Sequence, residues 1–146
     1  MPAICALDTS CIVAAVCGWH EQHRVAAVEI ERRLARGERL SVAAHALTEA
    51  YAVLTRLPSP HRVAPSDAWE LLRANFTGDV LIVSLSATRQ IAVLRRLAQA
   101  GISGGRTYDA VIAECAVRAG AKALLTFNAR HFDPAPKDVA VVVPGL

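Results

Sequence analysis

Ile4-Cys5-Ala6-Leu7-Asp8-Thr9-Ser10-Cys11 decides how this chain folds. Four apolar residues without interruption read as a strand buried on both faces. The run ends at Asp8, and Ser10 is placed to cap a helix starting at Cys11 and running apolar to Cys17. Asp8 therefore stands where a buried strand hands over to a helix. In an open parallel sheet, the edge outside the carboxyl ends of the strands is where ligands bind. A carboxylate there is costly to desolvate unless a cation or hydrogen-bond donors meet it. The plainer alternative is a turn Asp bonded to its own backbone.

Working outward, His20 to Arg36 reads as an amphipathic helix with Val25, Val28 and Leu34 on its apolar side and Gly37 as its stop. Leu40 to Ala43 is a short strand. Ala44 to Leu57 is a helix with Leu47, Tyr51 and Leu54 on one stripe. Asp67 and Glu70, followed by Leu71-Leu72, mark the next helix start. Val80 to Val83 is the most apolar strand candidate. Ser86 caps a helix with Ile91, Leu94 and Leu97 at helical spacing, ended by Gly101, and Ser103-Gly104-Gly105 is a joint. Arg106 to Ala119 is a helix closed by Gly120, followed by strands at Ala123–Leu125 and Val139–Val143. Strands alternating with helices predict an α/β fold with a mostly parallel central sheet flanked by helices.

The 146 residues fit one domain, 1–146, large enough for a core without staples. Apolar residues are 53% of the chain and aromatic ones 5%, so that core must come from Ala, Val, Leu and Ile. No apolar run approaches the ~20 residues of a membrane span, and the N-terminus lacks the basic segment of a signal peptide. A cytoplasmic chain is expected. Cys5, Cys11, Cys17 and Cys115 form no CxxC pair and read as buried, reduced thiols. The net charge is +3, and every basic residue except Lys122 and Lys137 is Arg, which suits phosphate recognition or reflects codon bias.

Three positions join Asp8. Glu49 lies on the helix after the second strand, on the side away from Leu47, Tyr51 and Leu54. Asp109 aligns with Ile112, Ala113 and Ala116, which places a carboxylate on a core-facing stripe. Asn128 follows the strand Ala123–Leu125 as Asp8 follows the first. In a parallel sheet these four meet at one edge. Their oxygens suit Mg²⁺ or Mn²⁺ and not zinc, and a carboxylate-held divalent ion is equipment for attacking phosphodiesters. His20 and His23 are read as a solvated face, and His131 as a loop residue near the proposed site.

Four stretches carry a resemblance to a known family: Leu7-Asp8-Thr9-Ser10; Leu47-Thr48-Glu49-Ala50-Tyr51 with Leu54 to Pro58; Tyr108-Asp109-Ala110-Val111-Ile112-Ala113; and Leu125-Thr126-Phe127-Asn128-Ala129-Arg130-His131-Phe132. In this order the chain resembles PIN-domain ribonucleases, specifically the VapC toxins of VapBC toxin–antitoxin pairs. The resemblance implies a PIN-like domain and an endoribonuclease dependent on Mg²⁺ or Mn²⁺. It implies Asp8, Glu49 and Asp109 as metal ligands, with Asn128 where many members carry a fourth Asp. Thr9, Ser10 and Thr126 would be hydroxyl helpers around the metal's water, and Arg56, Arg106 and Arg130 would contact substrate. The implied partners are RNA such as tRNA or rRNA, a second copy of the chain, and a VapB-like antitoxin. The antitoxin's C-terminal segment would lie along Cys11–Trp19 and Val25–Leu34 and reach the acidic edge.

Other readings remain at this point. A haloacid-dehalogenase-like phosphatase also begins with an Asp after its first strand, but needs a second Asp where this chain has Ser10. A receiver domain needs an Asp after a middle strand, where Val83 is followed by Ser84. A catalytically weak PIN-like RNA-binding scaffold is favoured only by Asn128.

Overall fold

The computed structural model describes residues 1–146. Five strands, β1 (Ile4–Leu7), β2 (Arg39–Ala43), β3 (Leu81–Val83), β4 (Ala121–Leu125) and β5 (Ala140–Val142), form one sheet in the order β3-β2-β1-β4-β5. Every neighbouring pair is parallel. Six helices flank it: α1 (Thr9–Val16), α2 (His23–Ala35), α3 (Ala44–Arg56), α4 (Pro65–Phe76), α5 (Ala87–Ala100) and α6 (Arg106–Ala119). A 3-10 turn at Ala129–Phe132 follows β4. This is the expected single α/β domain. No helix is long and apolar enough to cross a membrane.

β1 is central, and its apolar run is buried as its composition dictates: Cys5 and Leu7 have no exposed surface. The core around it is built from Ala, Val, Leu, Ile and Cys, with Phe76 and Phe132 its only aromatic members. All four cysteines are free and buried. Burial pushes the Cys5 thiol up to about 12 and the Cys115 thiol up to about 11, so both stay protonated and unreactive near neutral pH.

Several local expectations are corrected. The cap of α1 is Asp8, not Ser10: its carboxylate accepts from the Cys11 amide and the helix begins at Thr9. α2 starts three residues later than predicted, at His23, because Gly18 to Gln22 form a turn. Its predicted apolar side faces outward, with Val28 and Leu34 exposed. Its buried side instead holds Ala26 and Glu29, whose burial is tolerable because Arg32 and Arg33 both donate to its carboxylate.

On α3 the buried stripe is Ala46, Ala50 and Leu54, while Tyr51 is exposed. Small alanines let this helix come close to its neighbours, which a hydropathy pattern favouring Leu and Tyr does not detect. α4 begins two residues before Asp67, on Pro65, and Asp67 sits in its first turn without capping. α5 is capped by Ser86 and closed by left-handed Gly101 as expected, but it buries Val93 and Leu97 and exposes Ile91 and Leu94. The Val80–Val83 run yields only a three-residue edge strand with Ile82 exposed. An apolar run therefore does not by itself distinguish a central strand from an edge one. α6 has the predicted boundaries and ends on left-handed Gly120.

This difference between strands has a measurable consequence. Leu124→Ala, at a fully buried β4 position, is expected to lower unfolding free energy by about 2–5 kcal/mol. Ile82→Ala on the edge strand should cost about 1 kcal/mol or less. Urea denaturation of the two variants gives the comparison, and equal losses would contradict the edge assignment.

Candidate active site

The strand order reverses around β1: the chain goes from β1 to β2 and β3 on one side, then returns to β4 and β5 on the other. The crevice at such a switch point lies outside the carboxyl ends of β1 and β4. Register brings Leu7 beside Leu125, so Asp8 and Thr126 leave the sheet together. The Asp8 amide donates to the Leu125 carbonyl at 3.1 Å. The Thr126 hydroxyl donates to Asp8 Oδ2 at 2.5 Å, the Ser10 hydroxyl to Oδ1 at 2.7 Å, and the Cys11 amide to Oδ1 at 2.9 Å. Asp8 is only 2% exposed. Burial pushes its pKa above the usual carboxylate range, against these three donors, and nearby Asp109 adds to the rise.

The other predicted residues come from elements whose polarity brings them to the same edge. α3 leaves β2 there and carries Glu49 in its second turn. Glu49 flanks the buried Ala46–Ala50 stripe rather than lying opposite it, and its Oε1 accepts from the Thr9 hydroxyl at 2.6 Å. α6 returns to feed β4, so its first turn, with Asp109, lies at this edge too. His131 Nδ1, on the turn after β4, stands 3.0 Å from Asp109 Oδ2. Burial raises the Asp109 carboxyl pKa, His131 opposes that, and Glu49 reinforces it.

Asp8, Glu49, Asp109 and Asn128 all line one open cleft of about 570 Å³, together with Thr9, Ser10 and Arg106. Thr126 is wholly buried beneath it. The three hydroxyls differ from the expected placement around a metal's water: each donates to a carboxylate, Thr9 to Glu49, and Ser10 and Thr126 to Asp8. Ser10, where the dehalogenase reading needs an acid, is such a donor. Arg106 is half-buried with an unpaired Nε. Arg56 and Arg130 are exposed and outside the cleft lining. No three acidic, His or Cys side chains are close enough, as arranged here, to enclose an ion. Glu49 and Asp109 are instead turned toward Thr9 and His131.

Two histidines enter the cleft, His20, which sequence reasoning placed on a solvated face, and His131, which it placed near the site only as a loop residue. His20 lines it, while His23 Nδ1 donates to the Ala14 carbonyl at 2.8 Å. His131 lines it as the partner of Asp109. The only signal for His131 is its place three residues after Asn128. The pairing itself depends on α6 meeting the turn after β4.

The PIN domain family model matches residues 5–137. Ribonuclease VapC40 of Mycobacterium tuberculosis is 43% identical over 123 residues, 84% of this chain and 85% of that one. Ribonuclease VapC27 of the same organism is 37% identical over 139 residues, 94% of this chain and 95% of its own. Among solved structures, the sarcin–ricin-loop-cleaving toxin VapC20 of M. tuberculosis matches with a TM-score of 0.70 at 16% identity, covering 92% of this chain and 98% of that one. VapBC2 from Rickettsia felis, bound to a DNA fragment from its promoter, matches with a TM-score of 0.68 at 20% identity, covering 97% and 98%. With the parallel sheet and the acidic edge already described, these matches place the chain in the PIN-domain family, among its VapC ribonucleases.

Proposed function

We propose that this chain is the toxin of a VapBC-type pair, an endoribonuclease that hydrolyses phosphodiester bonds of cellular RNA with Mg²⁺ or Mn²⁺. The observation that carries this reading is the convergence of Asp8, Glu49, Asp109 and Asn128 on one open cleft. They come from four separate segments, in a chain 43% identical to a VapC ribonuclease. The donor set fits a hard cation: every donor is oxygen, and the cleft is open enough for a hydrated ion. Asp8 and Asp109 would hold the ion, with Glu49 and Asn128 as further oxygens. Bound there, a divalent ion supplies a more acidic water and neutralises phosphate charge. Thr126, Ser10 and the Cys11 amide hold Asp8 in one orientation, so they act as positioning groups. The protein partner of this reading is a VapB-like antitoxin, for which the outward Val28 and Leu34 of α2 offer apolar surface. Within the Cys11–Trp19 stretch, Cys11 to Ala14 are buried and add nothing to that surface, while Trp19 is exposed.

Asp8→Asn tests the site. The amide oxygen keeps the Ser10 and Cys11 donors, and Thr126 Oγ1 can turn to accept from the new NH₂. Cleavage of RNA in Mg²⁺ is expected to fall by a factor of 100 or more, about 2.7 kcal/mol of barrier, with the fold retained. Wild-type cleavage by this variant would overturn the assignment.

The same substitution has a stability counterpart in EDTA. Because the folded pKa of Asp8 is raised, its contribution is fully present below the ordinary carboxylate value. It is lost as pH rises through the folded pKa. Metal-free wild type should therefore lose stability relative to Asp8→Asn as pH rises from about 4 toward neutrality. Parallel thermal melts across that range check the sign.

Asn128 offers one neutral carbonyl oxygen where Asp offers two charged ones. Asn128→Asp should bind Mn²⁺ more tightly in the free protein. It need not cleave faster, since tighter ground-state binding does not lower the barrier. Calorimetric titration of both proteins decides it, and equal affinities would place Asn128 outside the metal shell.

A further inference from the structure

A cleft that holds a phosphodiester must also hold the bases on either side of it. Four of the chain's large aromatic rings are exposed, Trp19, Tyr51, Trp69 and Tyr108. Two of these, Trp19 and Tyr108, are chain neighbours of the cleft-lining His20 and Asp109, and each is stacked on a histidine. Trp19 lies 4.1 Å from His61, ring centre to ring centre, at 20° between planes. Its other aromatic neighbour is His20, which lines the cleft. Tyr108 lies 5.0 Å from His45 at 17° and directly precedes Asp109.

The two histidines mark opposite ends of α3. His45 sits in its first turn, and His61 lies in the loop just past its last residue, Arg56. At 1.5 Å per residue the helix between them spans roughly 16 Å. Glu49 and Val53 line the cleft along that length. The two stacks therefore lie near opposite ends of α3, the helix along which the cleft runs.

Both rings keep about half their surface open to solvent, 47% for Trp19 and 49% for Tyr108. A half-exposed ring backed by a histidine offers surface on which an unpaired base stacks. Arg106, which lines the cleft, has its Nε buried and unpaired. A guanidinium there suits a phosphate that joins stacked nucleotides.

We propose that the Trp19–His61 and Tyr108–His45 stacks are base platforms. They hold unpaired nucleotides on either side of the scissile phosphate. This rests on the nuclease reading above. Bases in a continuous duplex are stacked on one another and cannot use the platforms.

The test is fluorescence anisotropy with a short fluorescein-labelled single-stranded oligoribonucleotide of mixed sequence, in EDTA, so that binding is read without cleavage. Cleavage in Mg²⁺ is assayed in parallel. Trp19→Ala and Tyr108→Ala are each expected to weaken binding about tenfold. Trp19→Phe and Tyr108→Phe should bind close to wild type, and a blunt duplex of the same sequence should bind more weakly than the single strand. Wild-type affinity in the alanine variants would overturn the proposal, as would equal losses in the phenylalanine and alanine variants or equal binding of duplex and single strand. Alanine variants that keep RNA affinity but no longer co-purify with the co-expressed antitoxin would assign the rings to the protein partner and overturn it too. If the stacking pattern appears but no variant or wild type cleaves RNA in Mg²⁺, the nuclease reading fails while the platforms stand.

Discussion

The buried carboxylate of Asp8 is the constraint on which the rest depends. It is nearly excluded from solvent and accepts from Thr126, Ser10 and the Cys11 amide. Removing one partner of a buried charge strands the other at a cost of several kcal/mol. The donors therefore have to be where they are. Thr126 also accepts from the Asn128 amide at 2.8 Å, and Ser10 from the Phe127 amide at 3.0 Å. One hydrogen-bonded chain thus ties the end of β1, the start of α1 and the exit of β4 into a single rigid corner.

Around that corner, chain direction does the assembling. In a parallel sheet every strand ends at the same edge. Helices that leave strands begin there, as α1 and α3 do, and so does α6, which returns to feed β4. Residues in the first two turns of these helices, and in the turn after β4, meet without any local sequence signal linking them. The result is three carboxylates near one another, a repulsive arrangement. It shows in the raised pKa of Asp8 and Asp109, for which burial is the main cause and mutual repulsion a further one. Thr9 and His131 offset part of it by engaging Glu49 and Asp109. The stored repulsion is what a divalent cation would relieve.

The surface outside this edge is less constrained. α2 holds on through Ala26 and the ion-paired Glu29 and α5 through Val93 and Leu97, which leaves Val28, Ile91 and Leu94 outward. Exposed apolar residues spread over two helices are available surface for other chains. The acidic edge is polar and open.

Much of this protein was legible in the sequence because it is local. The uninterrupted run Ile4–Leu7 ending on Asp8, the glycines that close α5 and α6, and the inward-facing Asp109 all follow from patterns within one element. The four stretches around Asp8, Glu49, Asp109 and Asn128 also carried the family resemblance. Tertiary structure alone decided which residue caps α1, because Asp8 is oriented by Thr126, 118 residues away. It alone decided that α3 buries Ala46 and Ala50 rather than Tyr51, since close approach rewards small side chains over apolar ones. It made β3 an edge strand, and it set His131 against Asp109. Hydrophobic periodicity records that a residue prefers burial or exposure. It does not record which distant element arrives to satisfy that preference, and the cleft is made of such arrivals.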